Sequence, residues 1–405
     1  MVSSSARARL LAKNDNDIVI VAAVRSALAK ARKGGFKDTR PEEMLSGVLR
    51  AAYTRAMVDP ALIGDIAVGN VLPPGGGANV ARMAALHAGI PNTTPINTVN
   101  RQCSSGLTAV DQIANEIISG QIDIGIGSGV ESMTFAYGGG WLADGWSAEV
   151  LTNPEAEECL LPMGMTAENL ASEFNISREV QDKYAAISYQ KAAAAHKAGK
   201  FKDEIVPLKV KITDPKTEKV SEIIVDVDEG IRDGVTAETL SKLQPIFVEN
   251  GATHAGNASQ VCDGAAAVVL ARRSVAKRLG LPIVGKYVTS AVVGVPPRVM
   301  GVGPAYAIPK LLERTGLSKD DVDFYEINEA FASQAVYNIQ KLGLSLDKVN
   351  VNGGAIGIGH PLGCTGARQI ATGLNIAKQR NERVFVTSMC SGSGIGMAGV
   401  LVSEH

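Results

Sequence analysis

Asn100-Arg101-Gln102-Cys103-Ser104-Ser105-Gly106 stands where one periodicity gives way to another. Before it, Pro95-Ile96-Asn97-Thr98-Val99 is apolar and β-branched, as a short strand requires. After it, Leu107, Val110, Ile113, Ala114, Ile117 and Ile118 recur at helical spacing, and Gly120 supplies the stop. Cys103 therefore sits where a strand turns into a helix. There its thiol would face unpaired N–H groups and the positive end of the helix dipole. Such a place is expected to lower a thiol pKa and favour the nucleophilic thiolate. A buried, inert cysteine is the competing reading. The small Ser-Ser-Gly that follows keeps the helix start open to a ligand and favours the nucleophile.

Working outward, the same alternation repeats. Asp17-Ile18-Val19-Ile20-Val21-Ala22-Ala23 reads as a strand buried on both faces. Pro41 to Met57 is amphipathic and opens on a proline suited to a first turn. Ile66-Ala67-Val68 is strand-like, Ala78 to His87 helical, and Ile122 to Gly127 strand-like again. Strands covered by helices are the expected α/β architecture. The C-terminal part repeats the order: strand at Ile283–Val293, helix at Ala305–Leu312, strand at Val322–Ile327, helix at Glu329–Leu342. Then come a short Val349-Asn350-Val351, a helix over Gly363–Lys378, and strands at Val384–Val386 and Met397–Val402. The N-terminal half finds its own closing strand far downstream, at Ala265–Leu270. This predicts an internal duplication with a large insertion in the first copy. The chain divides into a tail over residues 1–16, an N-terminal half over 17–130 and 262–281, an insertion over 131–261, and a C-terminal half over 282–405.

The insertion differs in texture. Tyr137-Gly138-Gly139-Gly140 is loop-like, Thr166–Phe174 and Arg178–Lys197 are helical, and Lys200–Val227 is Lys-rich and β-like. It reads as a lid over a site. The tail carries Arg7, Arg9 and Lys13 but no apolar core of signal-peptide length. It reads as an unstructured terminus or a short organelle address.

Composition excludes several classes. The 405 residues are 45% hydrophobic and 20% charged, with net charge −1. That gives no electrostatic case for nucleic acid or an anionic membrane. No apolar run reaches the roughly 18–20 residues of a membrane span. Five cysteines, at 103, 159, 262, 364 and 390, follow no small-scaffold spacing and suit free thiols in a reducing compartment.

Three further stretches are short and polar within apolar sequence, the first two of them glycine-rich: Gly353-Gly354-Ala355 through Gly359-His360-Pro361-Leu362-Gly363, Ser388-Met389-Cys390-Ser391-Gly392-Ser393-Gly394, and Glu326-Ile327-Asn328-Glu329-Ala330-Phe331. In the duplication His360 falls near the counterpart of Cys103. A pseudo-twofold axis would bring the two helix starts together, and a His beside a Cys can take its proton. Cys390, at a strand end, could be a second thiol acid and base. Asn328, also at a strand end, offers an amide donor to an oxyanion. Each has a plain structural alternative. His360 could be a satisfied core histidine, and Asn328 and Glu329 could cap the next helix. His360 and Cys364 lack the second pair that zinc needs. Gly394-Ile395-Gly396-Met397-Ala398-Gly399 matches a dinucleotide fingerprint but has no helix after it.

Taken together these blocks resemble those of thiolases, most of all the degradative 3-ketoacyl-CoA thiolases of peroxisomes. Gly256-Asn257-Ala258-Ser259 is similar to the family's CoA-contact block, and the resemblance covers residue 17 to the end. It implies the five-layered αβαβα thiolase fold, built from two βαβαβαββ halves plus a loop domain. It implies no metal or redox cofactor, coenzyme A as a substrate, and a homodimer across an N-half strand edge. By the resemblance, Cys103 is the acylated nucleophile, His360 activates it, and Cys390 protonates the departing acetyl-CoA carbanion. Asn328, through a water, helps His360 hold one oxyanion; the N–H groups of Cys103 and Gly392 hold the other. Arg232, Thr239 and Ser259 fall at the family's CoA contacts.

Acetoacetyl-CoA thiolases tend to carry His where this chain has Pro162. Proline there resembles the degradative branch and leaves the acyl pocket to Leu160, Leu161, Met163 and Met165. An acetoacetyl-CoA thiolase is the nearest rival, and a catalytically silent acyl-CoA carrier is a remote one. Peroxisomal location follows from the resemblance alone: Arg9-Leu10 would begin the nonapeptide address of peroxisomal relatives, but Asn16-Asp17 stands where His or Gln and then Leu or Ala would close it. A mitochondrial presequence is the alternative.

Overall fold

The computed structural model describes residues 5–137 and 145–405. Gly138, Gly139 and Gly140 of the expected glycine loop lie outside the described residues. The chain opens on helix α1 (Ala6–Leu11). The N-terminal half follows as β1 (Ile18–Ser26), the short β2 (Ala29–Lys30), α2 (Pro41–Arg55), β3 (Asp65–Gly69), α3 (Ala78–His87), β4 (Asn97–Val99), α4 (Ser105–Ser119) and β5 (Ile124–Ser132). The insertion carries α5 (Met133–Ala136), α6 (Pro154–Glu158), α7 (Met163–Glu173), α8 (Arg178–Lys197), β6 (Ile205–Val206), β7 (Leu208–Thr213), β8 (Val220–Val225) and α9 (Ala237–Ser241). Then come β9 (Cys262–Arg272), α10 (Arg273–Leu279), β10 (Gly285–Gly294), α11 (Gly303–Thr315), β11 (Phe324–Ile327), α12 (Ala332–Leu342), α13 (Ala355–Ile358), α14 (Thr365–Arg380), β12 (Val384–Ser391) and β13 (Ile395–Ser403).

The main sheet runs β11-β12-β13-β10-β1-β9-β5-β3-β4. Each half contributes one end of that order, and the halves meet where β1 pairs antiparallel with β10 over Ile18–Ile20 and Gly285–Tyr287. The expected closing strand of the first half is β9, inserted between β1 and β5. Where β4 lies beside β3, its counterpart in the second half is reduced to a bridge between Tyr325 and Val349.

Alternation along β1 sorts its side chains into layers. Val19 and Val21 face outward onto Met44, Leu45 and Val48 of α2 and Ala81 and Ala84 of α3. Ile18 and Ile20 face inward onto Leu107, Val110 and Ile113 of α4 and Ile370 and Leu374 of α14. Beyond the second half, Ile308 and Leu311 of α11 and Val336 and Ile339 of α12 cover Val384, Val386 and Val400. The result is helix, sheet, helix, sheet, helix, with α4 and α14 in the middle.

Two helices can share a middle layer only if their backbones approach closely. A Cβ on Gly106 of α4 would lie 2.7 Å from the Gly363 carbonyl oxygen, and one on Gly366 of α14 would lie 2.1 Å from the Leu107 nitrogen. Glycine is the residue that both positions accept. The two helix starts therefore do meet, as the duplication predicts.

Several local expectations are corrected. The N-terminus is not an unstructured tail over its described residues. Leu10 is buried, Arg7 pairs with Asp323, and Lys13 pairs with Glu404. β5 runs through Glu131 and Ser132, past the expected start of the insertion. α12 begins at Ala332, so neither Asn328 nor Glu329 caps it; Phe331 occupies the cap without a side-chain bond. α7 and α8 pack Leu170, Tyr184 and Tyr189 into the outer core of the second half.

Candidate active site

Cys103 occupies a tight turn between β4 and α4. Asn100 Oδ1 accepts the Gln102 N–H, Ser105 Oγ accepts the Arg101 N–H, and Gln102 takes φ 49°. Ser104 Oγ accepts a hydrogen bond from Ser391 Oγ at 2.9 Å, which ties the turn to the end of β12. The backbone N–H groups of Gly392 and of Cys103 itself lie near the Cys103 sulfur and favour its thiolate. Burial nevertheless pushes the thiol up to about 12. The expected depression at the helix start is thus overridden, because desolvating a thiolate costs more than the two donors return. Cys103 rests as a thiol and needs a base.

His360 is buried on the turn before α14. Its Nδ1 lies 2.6 Å from Thr365 Oγ1, and that hydroxyl donates to the Pro361 carbonyl at 3.0 Å. The one hydroxyl proton is used there, so Nδ1 must donate to Oγ1. Nε2 is then a bare acceptor, facing Asn328 Nδ2 at 3.3 Å. Burial and the Arg368 charge hold the imidazole down to about 3, so it is neutral across physiological pH. Asn328 follows β11, with its N–H on the Ser388 carbonyl. Its Oδ1 is buried without a partner among the described residues.

Cys390 ends the site on β12. Burial and the nearness of Cys103 raise its thiol far above the ordinary value. It packs with Ala167, Met300, Ala330 and Phe331, and with half-buried Met163 and Ala258. This apolar cluster lies beside the two thiols. Of the side chains expected to shape it, Met163 takes part. Met300 and Phe331 also line it, and Phe247 meets Phe331 edge to face at 6.3 Å.

Arg232 and Thr239 line one groove with Tyr189, Leu240, Leu243 and Gly256. Ser259 stands apart from that groove; its N–H bonds to the Ala330 carbonyl, and Ala258 bridges to Phe331. It thus lies between the groove and Asn328.

The thiolase N-terminal domain matches residues 18–274 and the thiolase C-terminal domain residues 281–403. The chain belongs to the thiolase family. It is 54% identical to the peroxisomal 3-ketoacyl-CoA thiolase of Yarrowia lipolytica over 98% of this chain and 95% of the relative. It is 55% identical to peroxisomal 3-ketoacyl-CoA thiolase 1 of Arabidopsis thaliana over 95% of this chain and 87% of the relative. Among solved structures, the dimeric peroxisomal thiolase of Saccharomyces cerevisiae superposes with a TM-score of 0.91 at 52% identity, covering 98% of this chain and all of that one.

Some positioning residues of this thiolase were not read from sequence. Thr365 fixes the His360 tautomer. Glu131, buried in β5, accepts N–H groups of Val71, Leu72 and Gly363, and so joins the two halves beside the site. Glu329 accepts from Tyr184, Ser188, Asn350 and the Ile356 N–H, pinning the loop after β11 to α8. A charged residue inside an apolar, glycine-rich strand was the available signal for Glu131. The hydroxyl of Thr365 left no such signal.

Proposed function

We propose that this thiolase cleaves 3-ketoacyl-CoA with coenzyme A, giving acetyl-CoA and a shortened acyl-CoA, in fatty-acid β-oxidation. The observation that carries it is the nearness of Cys103 to Cys390, which packs in one apolar cluster, together with the contact between His360 and Asn328. Breaking a carbon–carbon bond between two carbonyls needs a nucleophile, an acid for the leaving carbanion and donors for each oxyanion.

Cys103 gives its proton to His360 Nε2, and the sulfur attacks the 3-keto carbonyl. The Gly392 and Cys103 N–H groups receive the oxyanion. The bond between C2 and C3 then breaks, and its electron pair forms the acetyl-CoA enolate. The charged His360 and Asn328 face that enolate oxygen. Cys390 delivers its proton to the carbanion carbon, and acetyl-CoA leaves. Coenzyme A enters, loses its thiol proton to the Cys390 thiolate, and attacks the Cys103 thioester. Cys103 departs and recovers its proton from His360. The cycle is ping-pong and uses coenzyme A as substrate, with no metal or redox cofactor.

Arg232, Thr239 and Ser259 hold coenzyme A along the groove, and Met163 shapes the acyl pocket. The peroxisomal names of the relatives support a peroxisomal location. The dimeric yeast structure supports a homodimer, and β4, the edge strand among the described residues, suits a twofold contact. Thiolysis rates over a ladder of 3-ketoacyl-CoA lengths test the reading. Each buried methylene adds up to about 0.8 kcal/mol, so medium and long chains should exceed acetoacetyl-CoA in kcat/KM. Acetoacetyl-CoA as best substrate would overturn it.

A further inference from the structure

A second histidine, fully buried and outside the reaction centre, holds up the wall of the coenzyme A groove. His254 Nε2 lies 2.7 Å from Asp182 Oδ1 of α8. Its Nδ1 accepts the Gly256 N–H at 3.0 Å. An accepting Nδ1 carries no proton, so the Nε2 proton goes to Asp182 and the ring is neutral. The His254 N–H in turn donates to Asn257 Oδ1, while Asn257 Nδ2 donates to Asp182 Oδ1 and to the Ala252 carbonyl. Gly256 lines the groove with Arg232 and Thr239. One residue on, the Asn257 carbonyl accepts the Ala332 N–H, and Ser259 donates to Ala330. The segment that His254 fixes thus runs from the groove to the loop that bears Asn328.

We propose that His254 is a positioning residue for coenzyme A. The proposal rests on the reading of that groove as the coenzyme A site. The His254 Nδ1 holds the Gly256 N–H of the groove wall, and Asp182 holds the ring from the other side. Arg178, on the same helix, lies 3.4 Å from the other Asp182 oxygen and helps to fix that carboxylate. Glu168 of α7 is held by the Ala252 and Thr253 N–H groups just before the ring.

Two amides separate the roles of the two nitrogens. His254→Asn places its oxygen near the Nδ1 position and keeps an acceptor for the Gly256 N–H; His254→Gln places its amide near the Nε2 position and forgoes the Gly256 contact. The measurement is the dissociation constant of desulfo-coenzyme A from the full-length enzyme. His254→Gln should bind about 3- to 10-fold more weakly than wild type, the loss of one hydrogen bond. His254→Asn should restore most of that loss, which a merely structural role of the ring would not do. Equal weakening in the two variants, or wild-type binding by His254→Gln, would overturn the proposal. If His254→Gln does not fold, His254→Ala takes its place with the same loss expected. Wild-type protein that binds no desulfo-coenzyme A would overturn the groove reading as well.

Discussion

His360 and Thr365 are locked into a one-way hydrogen-bond chain: Nδ1 donates to Oγ1, and Oγ1 donates to the Pro361 carbonyl. The chain aims a bare Nε2 at the site. Thr365→Val removes the one hydroxyl that makes both bonds of that chain. It should lower kcat by about 10- to 100-fold, because the other tautomer presents a proton where Cys103 needs a base. Thr365→Ser keeps the hydroxyl and should retain most activity. Steady-state thiolysis by the two variants checks this; equal losses would remove the tautomer argument.

The neutral state of His360 has a thermodynamic consequence. Its folded value of about 3 lies below the ordinary value of about 6.5. Between these, the unfolded chain binds a proton that the folded chain refuses, so stability rises with pH across that window and falls as pH drops below about 6.5. At pH 5 the penalty is up to about 2 kcal/mol. His360→Asn should lose less stability than wild type between pH 7.5 and pH 5. Parallel denaturant titrations at the two pH values measure the difference.

Cys390 is the acid in the scheme, and Cys103 the nucleophile. Cys390→Ala should still accept an acyl group on Cys103 while thiolysis falls by about 10²- to 10⁴-fold. Exchange of the acetyl-CoA methyl protons with solvent should stop. Near wild-type exchange in this variant would exclude Cys390.

Alkylation should follow the base rather than the helix dipole. Iodoacetamide should label Cys103 faster than Cys159, Cys262 or Cys364 near neutral pH, and His360→Asn should slow it at least tenfold, roughly the worth of a lost general base. Mass mapping of partially inactivated enzyme reads both. A Cys103 that labels equally fast without His360 would mean that the helix start alone activates it.

Gly366→Ala tests the central layer. The added carbon would meet the Leu107 nitrogen at 2.1 Å, and backbone cannot step aside as a side chain can. A loss of about 1–3 kcal/mol is expected. Activity should fall further than stability, since the turns that lead into α4 and α14 carry Cys103 and His360. A variant that melts and turns over like wild type would show that the helices can separate freely.

The strands were legible because they are buried on both faces and read as unbroken apolar runs, as in β1. The middle helices were legible from the spacing of Leu107, Val110 and Ile113. The four blocks holding Cys103, Asn328, His360 and Cys390 stood out as polar interruptions, those around His360 and Cys390 glycine-rich. What sequence could not give was the balance of opposing terms at a point. The N–H groups around Cys103 argue for a thiolate, and only burial reveals that desolvation wins. Docking of α1 depends on Asp323 and Glu404, more than 300 residues away, which no local pattern announces. His254 looks like any loop histidine until Asp182 and Gly256 are seen on either side of it.

The placement of β9 governs how this chain must be made. It lies between β1 and β5 in the sheet, yet residues 133–261 separate it from β5 along the chain. At roughly 5–20 residues per second, a ribosome needs on the order of ten seconds to bring β9 out after β5. Until then the first half has two apolar strands with open edges and nothing to join them. Such edges invite pairing with other chains. Synthesis therefore has a built-in interval of aggregation risk, and a nascent chain halted before residue 262 should be held by chaperones rather than folded.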